Sequence, residues 1–564
     1  MTVPEPPVSG EYAGTIPRLL AAAADRDSGG IWLRSDEGAL TFAGAAGAVG
    51  RTAAALQAAG ARKGDLIMLT AATTPPYLLC WLAVTCLGAV AVAVNPRSSA
   101  AELAGLIRQV RPRLLVSDAG LAELVESARL GDPGDGGPPA AATFPPVFDV
   151  EDIVPADRYA PTAADSASVP AAVVGPDDLA VLIPTSGTTG RSKLVMQTHR
   201  AYAMAGEGFP FWMELTAADR MMTTLPLFHV NAPCYSVMGS LACGAGLVLA
   251  GRFSASSFLD IARRHGATEF NAIGAMLEIL MRQPERPDDA DTPLRLCYTG
   301  PAPERERQLE IEDRFGLRIV VGYAMSESPY GLIWPRGSRG ESRPYGTLGT
   351  IRQHPYLGVI NHGRVVSADS GAVLGPGETG ELELRNPVLT PGYFGMPDES
   401  AAVMDGDWLR TGDLVTAHED GTYTFVSRAK EVIRRRGENL SPLEVEEVLE
   451  THPSVLETAV VGVPSELSEE EVKAFVVPAG GAAVDFAELR SFAAERLADF
   501  KVPRYWEVID ELPRTPTARV AKHRLPAGNT PGEYDAEAAA APAPARAPHA
   551  ARATGGGAGR QRES

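Results

Sequence analysis

The chain has 564 residues, 45% of them hydrophobic, which supports more than one core and excludes a minimal binding module. Acidic residues outnumber basic ones 70 to 51, and the resulting formal charge of −19 opposes the phosphate-neutralising contacts that nucleic-acid or anionic-membrane binding requires. Cys80, Cys86, Cys234, Cys243 and Cys297 stand in apolar surroundings without Cys-x-x-Cys spacing, so they read as reduced core thiols and not as a disulfide framework or a zinc site.

Met1 to Gly10 is a polar, proline-containing arm without the pattern of a secretory leader, and a cytoplasmic location is expected. From about residue 30 to residue 330, short Val/Ile/Leu runs alternate with helix-period segments, the pattern of an α/β protein with mainly parallel sheets. Within it, Leu66 to Pro96 carries no charged side chain and is long enough to span a bilayer. The Pro75-Pro76 pair, the threonines before it and Gly88 interrupt the stretch, which instead predicts a buried β-α-β unit. Its strands are Leu66 to Thr70 and Val90 to Val94, and its helix lies near Tyr77 to Leu87. No membrane span is expected. Residues 131 to 178, dense in Gly, Pro, Ala and Asp, read as a long surface connection.

Ile183 to Val195, IPTSGTTGRSKLV, runs from an apolar strand into small hydroxyl and glycine residues and ends at a lysine. Small residues let backbone N–H groups turn inward around a phosphate chain. Gly187 and Gly190 permit conformations closed to bulkier residues. Thr185, Ser186, Thr188 and Thr189 offer hydroxyls to phosphate oxygens, and Lys193 adds a charge. The loop is not a Walker motif, because Gly190 is followed by Arg191-Ser192-Lys193 and not by Lys-Ser/Thr.

Between Thr347 and Phe425 the runs ELELRN, WLRTGDLV and GTYTFVSR alternate with glycine-bearing turns and predict a β-rich subdomain. After Arg428 a helix start at Ser441-Pro442 and strands at Ala459 to Val463 and Lys473 to Val477 predict a compact α+β domain ending near Leu525. The Ala-, Pro- and Gly-rich remainder carries few large apolar groups and is expected to be a disordered tail.

Taken in order, these motifs resemble the adenylate-forming superfamily of acyl-CoA synthetases, peptide-synthetase adenylation domains and beetle luciferases. The likeness runs over about residues 15 to 525. TSGTTGRSK looks like the family's phosphate loop, and LPLFHVNA resembles the segment whose His229 borders the acid pocket. GYAMSES, at Gly322 to Ser328, resembles the segment in which Tyr323 lines the nucleotide site, Ser326 contacts the α-phosphate and Glu327 holds Mg²⁺. RTGDL supplies Asp413 for the ribose hydroxyls, and SRAKEVIRRRGENLSPLEVE supplies Arg428 and the hinge Lys430.

The resemblance implies an α/β and α+β chain. Residues 1–428 form a large ATP- and substrate-binding domain, built from two mainly parallel α/β subdomains and a small β-rich one. Residues 429–430 are a hinge, 431–526 a small mobile α+β domain and 527–564 the tail. It also implies an AMP-forming ligase that uses ATP and Mg²⁺, adenylates a small acid with release of pyrophosphate, and passes it to a second nucleophile. The oligomeric state is not given by the sequence. The closest likeness, over Arg252 to Arg295 and AVVGVPSELSEEEVKAFVV, is to the carnitine/crotonobetaine-CoA ligase branch, which implies coenzyme A as co-substrate. Phe228, Val230, Tyr298 and Tyr323 are candidate pocket positions with room for an aromatic or medium-sized group.

The family's late catalytic lysine is replaced in LPRTPTARVAKHRL by Ala518-Arg519, so Arg519 carries the charge at that position and Lys522 follows three residues later. Two other readings stand beside the CoA ligase. One is an ATP-dependent diazotase of secondary metabolism that activates nitrite and diazotises an aryl amine; the other is a non-catalytic relative acting as a binding protein. Single residues also have structural readings: His229 as a core histidine, Glu327 as the cap of a helix after Ile319 to Val321, Asp413 as turn chemistry. Arg434, Arg435 and Arg436 read either as a solvated basic edge or as a seat for the 3′-phosphate of coenzyme A.

Overall fold

The uncharged stretch becomes the β-α-β unit its prolines imply. Strand Leu66–Thr70 pairs in parallel with Val90–Ala93, and helix Pro75–Cys86 joins them. The helix starts two residues before the expected position because its prolines occupy the first turn, where a missing N–H costs nothing. The Thr74 side chain caps it by accepting from the Tyr77 N–H at 3.4 Å. Every residue of this helix is buried, which explains the absence of charge better than a bilayer does. No described helix is long and apolar enough to cross a membrane.

The structure is a computed structural model describing residues 13–130, 144–159, 174–185, 192–300, 302–368, 370–429, 431–435, 438–464, 470–481, 484–497, 499–514, 520–526, 528, 530 and 532–537. The β-α-β unit belongs to a six-stranded sheet ordered Val147–Asp149, Leu114–Ser117, Leu66–Thr70, Val90–Ala93, Leu179–Thr185, Lys193–Thr198. Its neighbours are parallel except the last pair, an antiparallel hairpin. The stretch 131–178, expected as mere connection, therefore contributes an edge strand and a helical turn, Val150–Ile153. Its density of Gly and Pro concealed the short apolar run at Val147–Phe148.

The second sheet has nine strands, in the order Thr350–Ile351, Ser328–Ile333, Arg318–Met325, Leu296–Thr299, Glu269–Asn271, Arg220–Thr223, Gly246–Leu249, Ile31–Ser35, Gly38–Thr41. It is parallel from Arg318–Met325 to Ile31–Ser35 and antiparallel at both margins. A third, antiparallel sheet holds His362–Val366, Thr379–Arg385, Trp408–Ala417, Met404–Asp405 and Tyr423–Arg428, as the alternating runs predicted.

The chain divides into two compact units, Met1–Lys430 with Arg514–Val520, and Glu431–Pro513 with Ala521–Ser564. In the second unit, helices Pro442–Glu450 and Phe486–Ala494 pack with a sheet of Val455–Pro464, Glu470–Pro478, Tyr505–Val508 and Tyr534–Asp535. The last strand corrects the boundary expected at residue 526. Tyr534–Asp535 pairs antiparallel with Tyr505–Val508, Tyr534 stacks on Phe486 at 5.5 Å, and Ala536 is buried. Composition averaged over the whole tail hid these few anchoring residues, which a neighbouring strand and a buried lysine recruit. Residues 538–564 lie outside the described residues.

Candidate functional site

The strands Leu179–Thr185 and Lys193–Thr198 face each other in register Thr185↔Lys193, and the Thr185 hydroxyl donates to the Lys193 carbonyl at 3.3 Å. They form the base of the phosphate-loop candidate. Ser186, Gly187, Thr188, Thr189 and Gly190 themselves lie outside the described residues, as do Lys430 and Arg519.

From this base Lys193 extends its ammonium over the ring of Tyr393, 4.5 Å from the centroid. The Tyr393 hydroxyl donates to Glu327 Oε1 at 2.9 Å. Lys193 and Glu327 thus share one buried aromatic residue, although they are far apart in sequence. Burial first, and then the Glu327 carboxylate, hold the Tyr393 hydroxyl above the ordinary tyrosine range, so it stays a donor.

Glu327 does not cap a helix. Strand Arg318–Met325 turns back at Ser326-Glu327 into Ser328–Ile333, pairing Met325 with Ser328. Such a tight turn presents its two residues at the strand ends, and long-range bonds fix it. The Gln197 side-chain amide donates to the Ser326 carbonyl, and the Thr390 N–H donates to the Glu327 carbonyl at 2.7 Å. Thr390 also donates through its hydroxyl to the Met196 carbonyl at 2.7 Å, tying the turn to the lysine's own strand.

On the same strand Tyr323 donates to Asp413 Oδ2 at 2.6 Å, and Arg428 Nε lies 3.0 Å from Asp413 Oδ1. Register places Asp413 opposite Arg428. Asp413 is only 1% exposed, so turn chemistry alone does not account for it. A buried carboxylate needs such partners, and a hydrogen bond to a charged group contributes about 1.5–3 kcal/mol. Each oxygen keeps a lone pair for a further donor. Burial first, and then this carboxylate, push the Tyr323 hydroxyl well above its usual range. Gly322, beside it, is required: a β-carbon there would stand 2.5 Å from Arg352 Nη2 and 2.6 Å from the Tyr298 ring.

His229 follows strand Arg220–Thr223, with its ring 4.5 Å from that of Phe228 and its N–H donating to the Pro226 carbonyl at 3.2 Å. Phe228 and Tyr298 are buried. The Tyr298 hydroxyl accepts from Arg352, so this expected pocket position is occupied by a cation.

The C-terminal candidates separate. Lys522 pairs with Glu446 at 2.7 Å and Glu431 at 3.8 Å, and Arg435 pairs with Glu471 at 2.6 Å while donating to the Phe500 and Val502 carbonyls. Arg435 is buried, so it is neither a solvated edge nor open to a phosphate. Sequence reasoning missed Tyr393, Gln197, Thr390 and Arg352. Only the cluster of turn residues around Gly392 marked any of these segments as special.

Glu327 offers a half-buried carboxylate whose Oε1 already accepts from Tyr393. Among the described residues no group of three or more His, Cys, Asp or Glu is placed to hold a metal ion. That donor set fits Mg²⁺ held by one carboxylate and nucleotide phosphates, and does not fit an all-protein cage.

Known proteins carry the same architecture. MatB of Rhodopseudomonas palustris, solved with ATP bound, superposes with a TM-score of 0.78 at 25% identity, over 90% of this chain and 98% of that one. The O-succinylbenzoate coenzyme A synthetase MenE of Bacillus subtilis, solved in complex with AMP, gives 0.76 at 25% identity, over 90% and 97%. The crotonobetaine/carnitine-CoA ligase of Salmonella heidelberg (strain SL476) is 29% identical over 490 residues, covering 85% of this chain and 91% of its own. The AMP-binding enzyme family matches residues 20–394, and its C-terminal domain matches residues 444–519. The first of these matches spans most of the chain and contains Lys193, Glu327 and Tyr393, and the chain belongs to the AMP-binding enzyme family.

Proposed function

We propose that this chain is an ATP-dependent, AMP-forming acid–CoA ligase. The observation that carries the reading is the strand and turn Gly322–Glu327, which binds Asp413 through Tyr323 and Lys193 through Glu327 and Tyr393. One rigid segment thereby aligns a seat for ribose hydroxyls with a cation and a carboxylate suited to phosphates and their metal. Similarity to a protein named a CoA ligase, to a coenzyme A synthetase solved in complex with AMP and to a protein solved with ATP bound supports the same chemistry.

In the first half-reaction a carboxylate oxygen of the acid attacks the α-phosphorus of ATP. The bond to the β-phosphate oxygen breaks, and pyrophosphate leaves. In the second, the coenzyme A sulfur attacks the acyl carbon, AMP leaves and the thiol proton passes to solvent. Two like-charged groups approach in the first step, so fixed positive charge and oriented donors lower the barrier. Lys193 supplies charge, and Tyr393 holds both Lys193 and Glu327 in place. Glu327 would hold Mg²⁺ together with the phosphates, and the ion would supply further charge neutralisation there. Asp413, held by Tyr323 and Arg428, accepts from the ribose. Ser326 as α-phosphate contact, His229 as border of the acid pocket, Arg519 as the late cation and Lys430 as hinge complete the reading.

Acid-dependent pyrophosphate release tests it. Lys193→Ala and Glu327→Ala are each expected to lower kcat by about a hundred-fold or more, and Asp413→Ala to raise the KM for ATP about ten-fold or more. Unchanged release in the first two variants would overturn the assignment. Lys522→Ala is expected to leave kcat near wild type, because its ammonium is committed to Glu446.

A further inference from the structure

Arg352 is a cation sealed inside the large unit, 1% exposed. Among the described residues no carboxylate lies within ion-pair distance of it. Instead its guanidinium lies over the rings of Trp212, Tyr235 and Tyr298, 4.9–5.4 Å from their centroids. Burying an unpaired charge costs several kcal/mol, and aromatic faces recover only part of that.

The hydrogen bonds account for nearly all of its donors. Nε donates to the Leu332 carbonyl at 2.8 Å. Nη1 donates to the Tyr235 hydroxyl at 2.7 Å and to the Pro329 carbonyl at 3.2 Å. Nη2 donates to the Tyr298 hydroxyl. A guanidinium carries five N–H groups, and these bonds use four, so one N–H of Nη2 has no acceptor among the described residues. The Tyr298 hydroxyl accepts from Arg352, and its own O–H has no acceptor there either. The Tyr235 hydroxyl differs, because it donates onward to the Pro329 carbonyl at 2.7 Å.

Both spare donors flank Gly322. A β-carbon at 322 would stand 2.5 Å from Nη2 and 2.8 Å from the Tyr298 oxygen, so both groups pack directly against the glycine backbone and no other residue fits there. Gly322 directly precedes Tyr323, which binds the nucleotide-site carboxylate Asp413. The unsatisfied donors, the uncompensated charge and the missing side chain thus coincide beside the proposed reaction site.

We propose that Arg352 and Tyr298 form an anion-recognition subsite, so that the acid this enzyme activates carries a compact two-oxygen anion held by the spare N–H and O–H beside Gly322. The inference rests on the ligase reading and deepens it by naming the substrate class. Two kinds of acid present such a group: a short dicarboxylate, whose far carboxylate reaches the arginine while the near one is adenylated, and a small inorganic anion such as nitrite. Acids ending in a hydrocarbon tail leave the charge uncompensated and are disfavoured.

The test compares malonate and succinate, nitrite with an aryl amine, and butyrate and benzoate as tailed monoacids, reading kcat and KM from pyrophosphate release in the full chain. Wild type is expected to favour a diacid or nitrite over the monoacids by at least ten-fold in kcat/KM. Which of the two wins identifies the source of the anion. Arg352→Met, which keeps volume and removes charge, is expected to raise KM for that anion by about ten- to a hundred-fold with the ATP KM unchanged. Tyr298→Phe removes one donor and keeps the ring, and is expected to give a smaller loss in the same direction. Arg352→Lys is expected to recover only part of the selectivity.

Preference of the wild type for a tailed monoacid would overturn the subsite, as would equal loss on every acid in Tyr298→Phe with an unchanged melting temperature. If no acid releases pyrophosphate, the ligase reading fails. The subsite is then judged by calorimetric titration with malonate and nitrite alone, where binding to wild type but not to Arg352→Met supports it and absence of binding rejects it.

Discussion

Lys473 and Arg352 are both cations with almost no solvent exposure, yet the protein surrounds them in opposite ways. Lys473, in the second unit, lies 2.8 Å from Glu507 and 2.6 Å from Glu533 and donates to the Gly528 carbonyl at 3.2 Å. Arg352, in the first unit, meets tyrosine hydroxyls, backbone carbonyls and aromatic faces. The first arrangement is closed: charge is balanced within the fold, and the ammonium fastens the strand Tyr534–Asp535 that follows Glu533. The second is open by one charge and two donors. A buried ion that the fold does not neutralise marks a place where a ligand is expected to do so. His199 and Glu269 show a third solution. Both are fully buried and take their neutral forms, since burial lowers the His199 pKa to about 4 and raises that of Glu269 well above the carboxylate range.

The comparison can be broken at its stabilising end first. Lys473→Met leaves two half-buried carboxylates without their cation and is expected to cost the C-terminal unit about 3–5 kcal/mol. Chemical denaturation followed by Trp506 fluorescence measures it, and a loss under 1 kcal/mol would mean the ion cluster is not structural.

Next comes the neutral histidine. The unfolded state takes up a proton near pH 6.5 that folded His199 refuses until about pH 4. Its penalty is absent above pH 6.5, grows as pH falls towards 4 and reaches about 3 kcal/mol. Stability curves at pH 7.5, 5.5 and 4.5 should show this slope in the wild type and a shallower one in His199→Leu; parallel slopes would assign the acid sensitivity elsewhere.

Ending the chain after Pro526 removes Glu533, Tyr534 and Ala536 and is expected to lower stability by about 2 kcal/mol through lost apolar burial and one lost carboxylate. Ending it after Glu537 is expected to leave the melting temperature unchanged. Equal melting temperatures for both truncations would show that the last strand contributes nothing.

The smallest expected effect sharpens the contrast. Arg352→Met should change stability by no more than about 1 kcal/mol, because replacing an uncompensated buried charge by an apolar side chain is often neutral or favourable. A loss near that of Lys473→Met would make Arg352 a structural ion as well.

The sequence by itself determined what is local. Strand, loop and lysine run contiguously through IPTSGTTGRSKLV, and the flanking strands pair as that order implies, with Thr185 opposite Lys193. Gly322 to Glu327 and Arg410 to Leu414 were likewise legible as short motifs, as were the parallel sheets and the antiparallel β-rich region from their periodicity. Only the tertiary structure decided which residues share a site. Tyr393 joins Lys193 to Glu327, Gln197 fixes the Ser326 turn, and Arg352 reaches Tyr235 and Tyr298 over separations that leave no spacing pattern. It also decided the fate of each charge. Lys473 and Arg352 both look in sequence like ordinary cations beside β-branched or small residues. Whether a carboxylate stands within reach of a buried charge depends on neighbours brought from distant strands, and no local propensity encodes that.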